Sequence, residues 1–252
     1  MRKKLLYLIL VGCMLVATAC GSSSSENASI PEPDRSPVEA DDELPSFDDS
    51  SNSSSDSAPE AEDVITVDCG GVYRDGYYRT AYTLTNTETT YGYRGVTATV
   101  TIYEKDGSVL ETYDDYFDRL LPNETNAGEM HTDIPKKKLK GTKLEVTVSA
   151  SSSFVPDGSQ LSGSDYKISK LKKRKDYMGT HITGIIENPT SKDSTVDIAA
   201  IFYKKKKIVA GEKEIMIDLK AGKQKPFEIV ADTPKYDSYK LFPNEVVTTV
   251  ED

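Results

Sequence analysis

The chain has 252 residues, 37% of them hydrophobic, which suffices for small cores and not for one large one, so two small domains are expected. Trp is absent, Tyr stands at 15, and Thr, Val, Ile and Tyr dominate the later part, a composition suited to pleated, half-buried strands and an all-β fold. The net charge of −10 is unevenly held: residues 1–20 carry Arg2, Lys3 and Lys4, residues 21–62 carry 12 acids against Arg35, and residues 63–252 carry 27 bases and 29 acids. The acidity belongs to one segment, and the nearly neutral remainder lacks the global basic signature of a nucleic-acid binder, so no nucleic-acid partner is expected.

Met1–Lys4 form a positive start and Leu5–Val16 an apolar core interrupted by Gly12 and Cys13. From Leu5 to Ala19 is about 15 residues, short of the roughly 18–20 needed to cross a bilayer, so residues 1–19 are expected to be a signal peptide. Its end, Ala17-Thr18-Ala19-Cys20 followed by Gly21, resembles the lipobox of bacterial lipoproteins. The resemblance implies lipidation of Cys20 as the first mature residue and membrane attachment through that anchor, on the extracytoplasmic face. Leu10-Val11-Gly12-Cys13 is an alternative and by residue type the better lipobox, but cleavage there leaves only about eight apolar residues before the site and an apolar stub after it. A plain secretory signal is the third reading. Two acyl chains anchor stably where one would not. Processing at Cys20 leaves Cys69 as the other cysteine, so no side-chain disulfide forms within the mature chain. Cys69 is expected as a small buried thiol on the first strand, with an intermolecular disulfide or reactive role as the alternative.

Residues 20–62 are dominated by Ser, Asp, Glu and Pro and cannot bury enough apolar surface to offset the entropy of ordering, so they are expected to be a disordered tether. Its extended reach is on the order of 140 Å.

From Asp63 onward the hydrophobic period becomes two. Tyr78, Thr80, Tyr82 and Leu84 predict a strand ending at Asn86. Val96, Ala98, Val100 and Ile102 predict the next, with Thr97, Thr99, Thr101 and Tyr103 on its other face. Glu104–Gly107 predict a turn with Gly at positive φ, Ser108–Tyr113 the return, and Leu144, Val146 and Val148 a last strand. Residues 63–150 are thus one sandwich, and residues 151–164, rich in Ser, Gly and Pro, a linker. Residues 165–252 repeat the plan: Ile182, Gly184 and Ile186 lead to Asn188-Pro189, Val196, Ile198, Ala200 and Phe202 run to Tyr203, Lys204–Lys207 make the turn, and Ile208–Ile217 return. Leu84-Thr85-Asn86 matches Ile186-Glu187-Asn188, Tyr103 matches Tyr203, and Leu121-Pro122-Asn123-Glu124 matches Lys220-Ala221-Gly222-Lys223, with spacings that differ by one or two residues. An internal duplication is expected, and no helix of three turns is predicted.

A strand ending in Asn, a β-branched strand closing on an aromatic, a charged hairpin and a Pro/Gly turn together resemble FxLYD domains, small immunoglobulin-like sandwiches of secreted proteins and lipoproteins. The motif region reads Val100-Thr101-Ile102-Tyr103-Glu104 in the first module and Ala200-Ile201-Phe202-Tyr203-Lys204 in the second. The second keeps the aromatic before Tyr203 but lacks the leading Phe and the Asp. The resemblance implies tandem Ig-like sandwiches and no established activity.

Candidate sites are sparse. The mature chain has His131 and His181, one per module, neither beside an acid or nucleophile motif, and Gly158-Ser159-Gln160-Leu161-Ser162-Gly163 has the wrong spacing for a nucleophile elbow, so no catalytic residue, enzyme activity or cofactor is expected. Glu111, Asp114, Asp115 and Asp118 are acids on one strand and its turn that lack a regular ligand spacing; a solvated strand edge is the expectation, and no metal site. Two basic runs, one with Lys170, Lys172, Lys173, Arg174 and Lys175, the other Lys204, Lys205, Lys206 and Lys207, would make an anion-attracting patch if they face one way; otherwise they are solvated turn and edge charges. Nine tyrosines fall in the first module, and Tyr77, Tyr91 and Tyr93 are candidates for an exposed aromatic face, against a role in cross-strand packing. The expected function is a lipid-anchored extracytoplasmic binding or structural module that engages a cell-envelope polymer or protein. An accessory subunit of an envelope complex is the alternative, and a cell-wall enzyme a distant third.

Overall fold

Thirteen antiparallel strands, one α-helical turn (Ala61–Val64) and two short 3-10 turns make up residues 57–246, the part of the chain described by this computed structural model. The expected signal peptide, Cys20 and the expected tether as far as residue 56 lie outside the described residues. In the first sandwich β1 (Ile65–Arg74), β2 (Tyr77–Asn86) and β5 (Thr125–Thr132) form a sheet in the order β1-β2-β5. Facing it, β3 (Gly92–Tyr103), β4 (Val109–Leu120) and β6 (Lys143–Ser149) are ordered β4-β3-β6, with the short β7 (Ser152–Phe154) paired to the start of β3. The second sandwich repeats this topology. β8 (Lys167–Lys175), β9 (Thr180–Glu187) and β12 (Gln224–Ala231) are ordered β12-β9-β8, and β10 (Ser194–Lys204), β11 (Lys207–Leu219) and β13 (Ser238–Val246) are ordered β11-β10-β13. No strand of one sandwich pairs with a strand of the other.

Alternation builds each core. Tyr82, Leu84, Val96, Ala98, Val100, Phe117, Leu120 and Val148 fill the first; Ile182, Ile186, Val196, Ile198, Ala200, Phe202, Phe227 and Ile229 fill the second. The corresponding turns are built alike. Asn86 is buried, and its amide donates to the carbonyls of Tyr91 (2.9 Å) and Leu121 (3.1 Å) while its oxygen accepts from the Glu88 N–H. Asn188 is buried likewise, donating to Lys192 (2.8 Å) and Leu219 (3.2 Å) and accepting from the Thr190 N–H. Asn123 and Gly222 occupy the same left-handed turn position, φ 58° and 62°, and donate across to Glu88 and Thr190. Tyr103 and Tyr203 are both half-buried and lie under Lys143 and Lys240 at 5.7 and 6.0 Å.

The sandwiches meet face to face. The outer surface of β1-β2-β5 packs on the outer surface of β11-β10-β13 around Ala81, Ala127, Ala199, Ile201 and Ile208, with Tyr203 and Phe242 at the margin. Small residues set the distance: a Cβ at Gly70 would lie 2.2 Å from the Ile208 carbonyl oxygen, and one at Gly211 2.7 Å from the Ala81 methyl. Ion pairs Arg74–Asp232, Arg79–Glu212 and Arg119–Glu245 rim the seam. Glu124, buried in the β4–β5 turn, accepts from its own turn at Leu121 N–H (2.8 Å) and from Gly163 N–H (2.7 Å) on the path into the second sandwich.

Three local expectations change. The tether is expected to run to residue 62, but Ala61 is buried in the first core and Tyr93 Oη donates to the Pro59 carbonyl (2.8 Å), so ordered structure begins before Asp63. The linker 151–164 starts as strand β7 and ends in the capped turn Gly163–Asp165 rather than crossing as an open loop. Cys69 lies on the first strand but is exposed rather than buried. Partial desolvation, then Asp68 and Glu145, still push its thiol pKa up, which disfavours a reactive thiolate.

Candidate functional site

Matching Asn86 to Asn188 and Asn123 to Gly222 sets Ala81 and Thr83 of the first sandwich against Thr183 and Ile185 of the second, and Ala127, Glu129 and His131 against Pro226, Glu228 and Val230. In the first sandwich this face is covered by its neighbour. Among the described residues the same face of the second sandwich carries no neighbour, and there it forms a shallow groove of about 970 Å³ floored by Thr183, Ile185 and Pro226 and edged by Lys170, Lys172 and Glu228.

β8 borders this groove as an edge strand paired only to β9. Lys167, Lys170, Lys172, Lys173, Arg174 and Lys175 are all exposed on it. Lys170 sits in the left-handed region (φ 51°) within a bulge between Ser169 and Lys172, which turns successive side chains off strict alternation and keeps the lysines from dividing evenly between two faces. Arg174 is committed elsewhere. It pairs with Asp176 and Glu228 and meets His181 Nδ1 at 2.8 Å. His181, only 3% exposed, also contacts Glu228 (2.8 Å) and Asp176 (3.0 Å). The Glu228 hydrogen bond, opposed by desolvation and seconded by Asp176, raises the His181 pKa. Asp176 is desolvated too, yet hydrogen bonds from Met178 N–H, His181 and Arg174 hold it at about 2. This network fastens the base of the β8–β9 hairpin, whose tip exposes Tyr177 and Met178.

The second basic run lies elsewhere. Lys204–Lys207 turn from β10 to β11 in the opposite sheet, and Lys206 joins Tyr203 and Lys240 in a cleft bounded by Asp68, Thr83 and Thr125 of the first sandwich. The two runs do not form one patch. The aromatic face is also absent: Tyr93 is core, Tyr91 is half-buried in the β2–β3 turn, and only Tyr77, at the other end of β2, is exposed. Residue 93 points inward because β3 begins at Gly92, so Tyr93 starts the buried row that continues past the positive-φ Gly95 at Val96. The acids of β4 divide by alternation: Asp114 accepts from Thr99 on the open side (2.7 Å), while Asp115 accepts from the buried Tyr82 hydroxyl (2.6 Å).

Sequence spacing hinted at one of these acids, since Glu129 lies two residues before His131 on one face of a strand, whereas Glu212 and Glu228 come from other strands and Asp176 from the turn before β9. At the seam, Glu129 and His131 project from the same face of β5 toward Glu212 of β11; Glu129 Oε2 and His131 Nε2 are 2.9 Å apart, and one ligand atom from each of the three residues falls within 4.8 Å of the others. Burial, then the charge of Glu212, pushes Glu129 up to about 7, and burial followed by Arg79 lowers His131.

No family model matches the chain, and no curated protein matches it. Among solved structures it is similar to the N-terminal CBM22-1-CBM22-2 tandem domain of Paenibacillus barcinonensis Xyn10C, at 10% identity over 76% of this chain and 89% of that one, with a TM-score of 0.13. A likeness at that score carries no argument. The fold class, tandem antiparallel β-sandwiches, rests on the strand pairing itself. Among the described residues no helix is long and apolar enough to cross a membrane.

Proposed function

We propose that this protein is a lipid-anchored extracytoplasmic binding module, held to the membrane through Cys20, whose second sandwich engages an anionic polymer of the cell envelope. One observation carries the reading: an edge strand with eight of its nine residues exposed carries five lysines besides the ion-paired Arg174, next to the face whose counterpart in the first sandwich is already a docking surface. Closely spaced lysines on a fixed strand create a local positive field that attracts a polyanion, and the attraction weakens as salt screens it. The resemblance of Ala200–Lys204 to the FxLYD motif agrees with a non-enzymatic surface module. The second reading, an accessory subunit that docks a protein on the same face, is favoured by the apolar Ile185, Pro226 and Val230 within the groove.

Co-sedimentation of the full chain with purified cell walls tests the proposal, using walls that retain or have been stripped of their anionic polymer. Binding is expected only to the former, falling steeply with salt, and at least about tenfold weaker in Lys170→Glu/Lys172→Glu. Equal sedimentation with stripped walls, or no effect of the double substitution, refutes it.

A further inference from the structure

We infer that Glu129, His131 and Glu212 form a binding site for a divalent transition cation of the zinc class, placed so that the ion joins the two sandwiches. The donors suit such an ion. One imidazole and two carboxylates from three positions leave a fourth for water, and imidazole selects transition metals over calcium or magnesium. The scaffold suits it too, because Glu129 and His131 are two residues apart on one face of β5 and Glu212 comes from β11 across the seam, so the ligands ride on paired strands rather than loops.

The second observation is an orphaned atom. Glu129 Oε2 is buried and makes no hydrogen bond, although His131 Nε2 stands 2.9 Å away. A buried carboxylate oxygen without a donor costs free energy that a cation would recover. Tetrahedral zinc with ligand bonds of about 2.0–2.2 Å requires donor atoms roughly 3.3 Å apart. The three present donors lie within 4.8 Å of one another, so side-chain rotations of about an ångström close the set. Arg79 Nη1 lies 3.7 Å from Glu212 Oε2 and orients that carboxylate from outside the set, as outer-shell partners of metal ligands do. The His131 side chain is about one-third exposed, so the set reaches solvent through the imidazole.

Because a ligand comes from each sandwich, the ion binds only when they are docked, and its binding free energy adds to the seam. Zn²⁺ titrated into the purified full chain carrying Cys69→Ser, which removes the exposed thiol as a competitor, tests this by calorimetry and thermal melting. One ion per chain and a melting temperature raised by about 5–10 °C at a hundredfold excess over Kd are expected. His131→Gln and Glu212→Gln should each weaken binding at least about tenfold while keeping a cooperative melt without metal. His181→Gln, which removes the other histidine with acidic neighbours, should bind normally, and Mg²⁺ should produce no shift. The inference is overturned by absence of Zn²⁺ binding at millimolar concentration, by binding indifferent to both seam substitutions, by loss in His181→Gln, or by an equal response to Mg²⁺.

Discussion

Glu124 is the clearest place to break the coupling between the sandwiches. Its carboxylate is buried and satisfies two backbone donors, Leu121 N–H at 2.8 Å within its own turn and Gly163 N–H at 2.7 Å on the segment entering the second sandwich. Glu124→Ala leaves both donors buried without an acceptor, at about 1–3 kcal/mol each, for a loss of about 2–6 kcal/mol. For an ordered region of this size the melting temperature should fall by about 6–18 °C. Glu124→Gln keeps one carbonyl oxygen but turns an amide NH₂ toward the other donor, so it should lose about half as much. Gly163 meets the same node from its other side, since a Cβ there would lie 1.9 Å from the Pro243 carbonyl oxygen of β13. Gly163→Ala must therefore displace backbone, and the double substitution should cost less than the two single losses combined because both act on one contact. Differential scanning calorimetry of the full chain reads the four variants against the natural protein. A shift under 1 °C for Glu124→Ala, or strict additivity with Gly163→Ala, would refute the view that this carboxylate ties the sandwiches together.

Lys205 and Lys206 form the two-residue turn between β10 and β11 with φ of 50° and 67°, a left-handed pair that Asn and Gly adopt without strain. Lys205→Asn/Lys206→Gly should therefore stabilise by about 1–2 kcal/mol in chemical denaturation, and an unchanged midpoint would contradict that backbone geometry. His181 has a raised pKa in the fold, so the stability it contributes is fully present below its unfolded value of about 6.5 and is lost as pH rises through the folded value. The stability gap between the natural protein and His181→Gln should be widest near pH 6 and narrower at pH 9; an imidazole pKa below 6.5 by NMR would reverse the sign. Cys20→Ala should abolish partitioning into detergent while leaving the melting profile unchanged, and retention of the processed variant in the detergent phase would show that anchoring does not depend on that cysteine.

The repeated plan was legible because it is written in backbone-specific residues. Asn86 and Asn188 each occupy a position where one side chain must satisfy several backbone groups, and Asn123 and Gly222 one where the chain turns left-handed, so few residue types serve and the pattern survives divergence. The core faces were legible from period-two alternation for the same reason. Burial of Tyr93 was not, since tyrosine is at home in either setting, and neither was exposure of Cys69, since a small thiol is most often buried.

The seam was the larger omission, and its signal lies in the comparison of the copies. Aligning Tyr103 with Tyr203 sets Thr97, Thr99 and Thr101 of β3 against Asp197, Ala199 and Ile201 of β10. The outward row of the first copy is partly exposed threonine; in the second it has become the buried Ala199 and Ile201, so Ile198–Phe202 reads as a continuous apolar run. A strand whose alternation is lost to apolar residues on both faces is buried on both faces. The reciprocal change is Ala81 in β2 against Thr183 in β9, the small residue again on the side that is covered. Each sandwich thus gives one of its two outer faces to the other, and the corresponding face of the second sandwich, uncovered among the described residues, mixes Thr183 and Glu228 with the apolar Ile185, Pro226 and Val230. That asymmetry leaves the basic strand β8 beside an open face, and the binding surface proposed here lies there rather than on the seam.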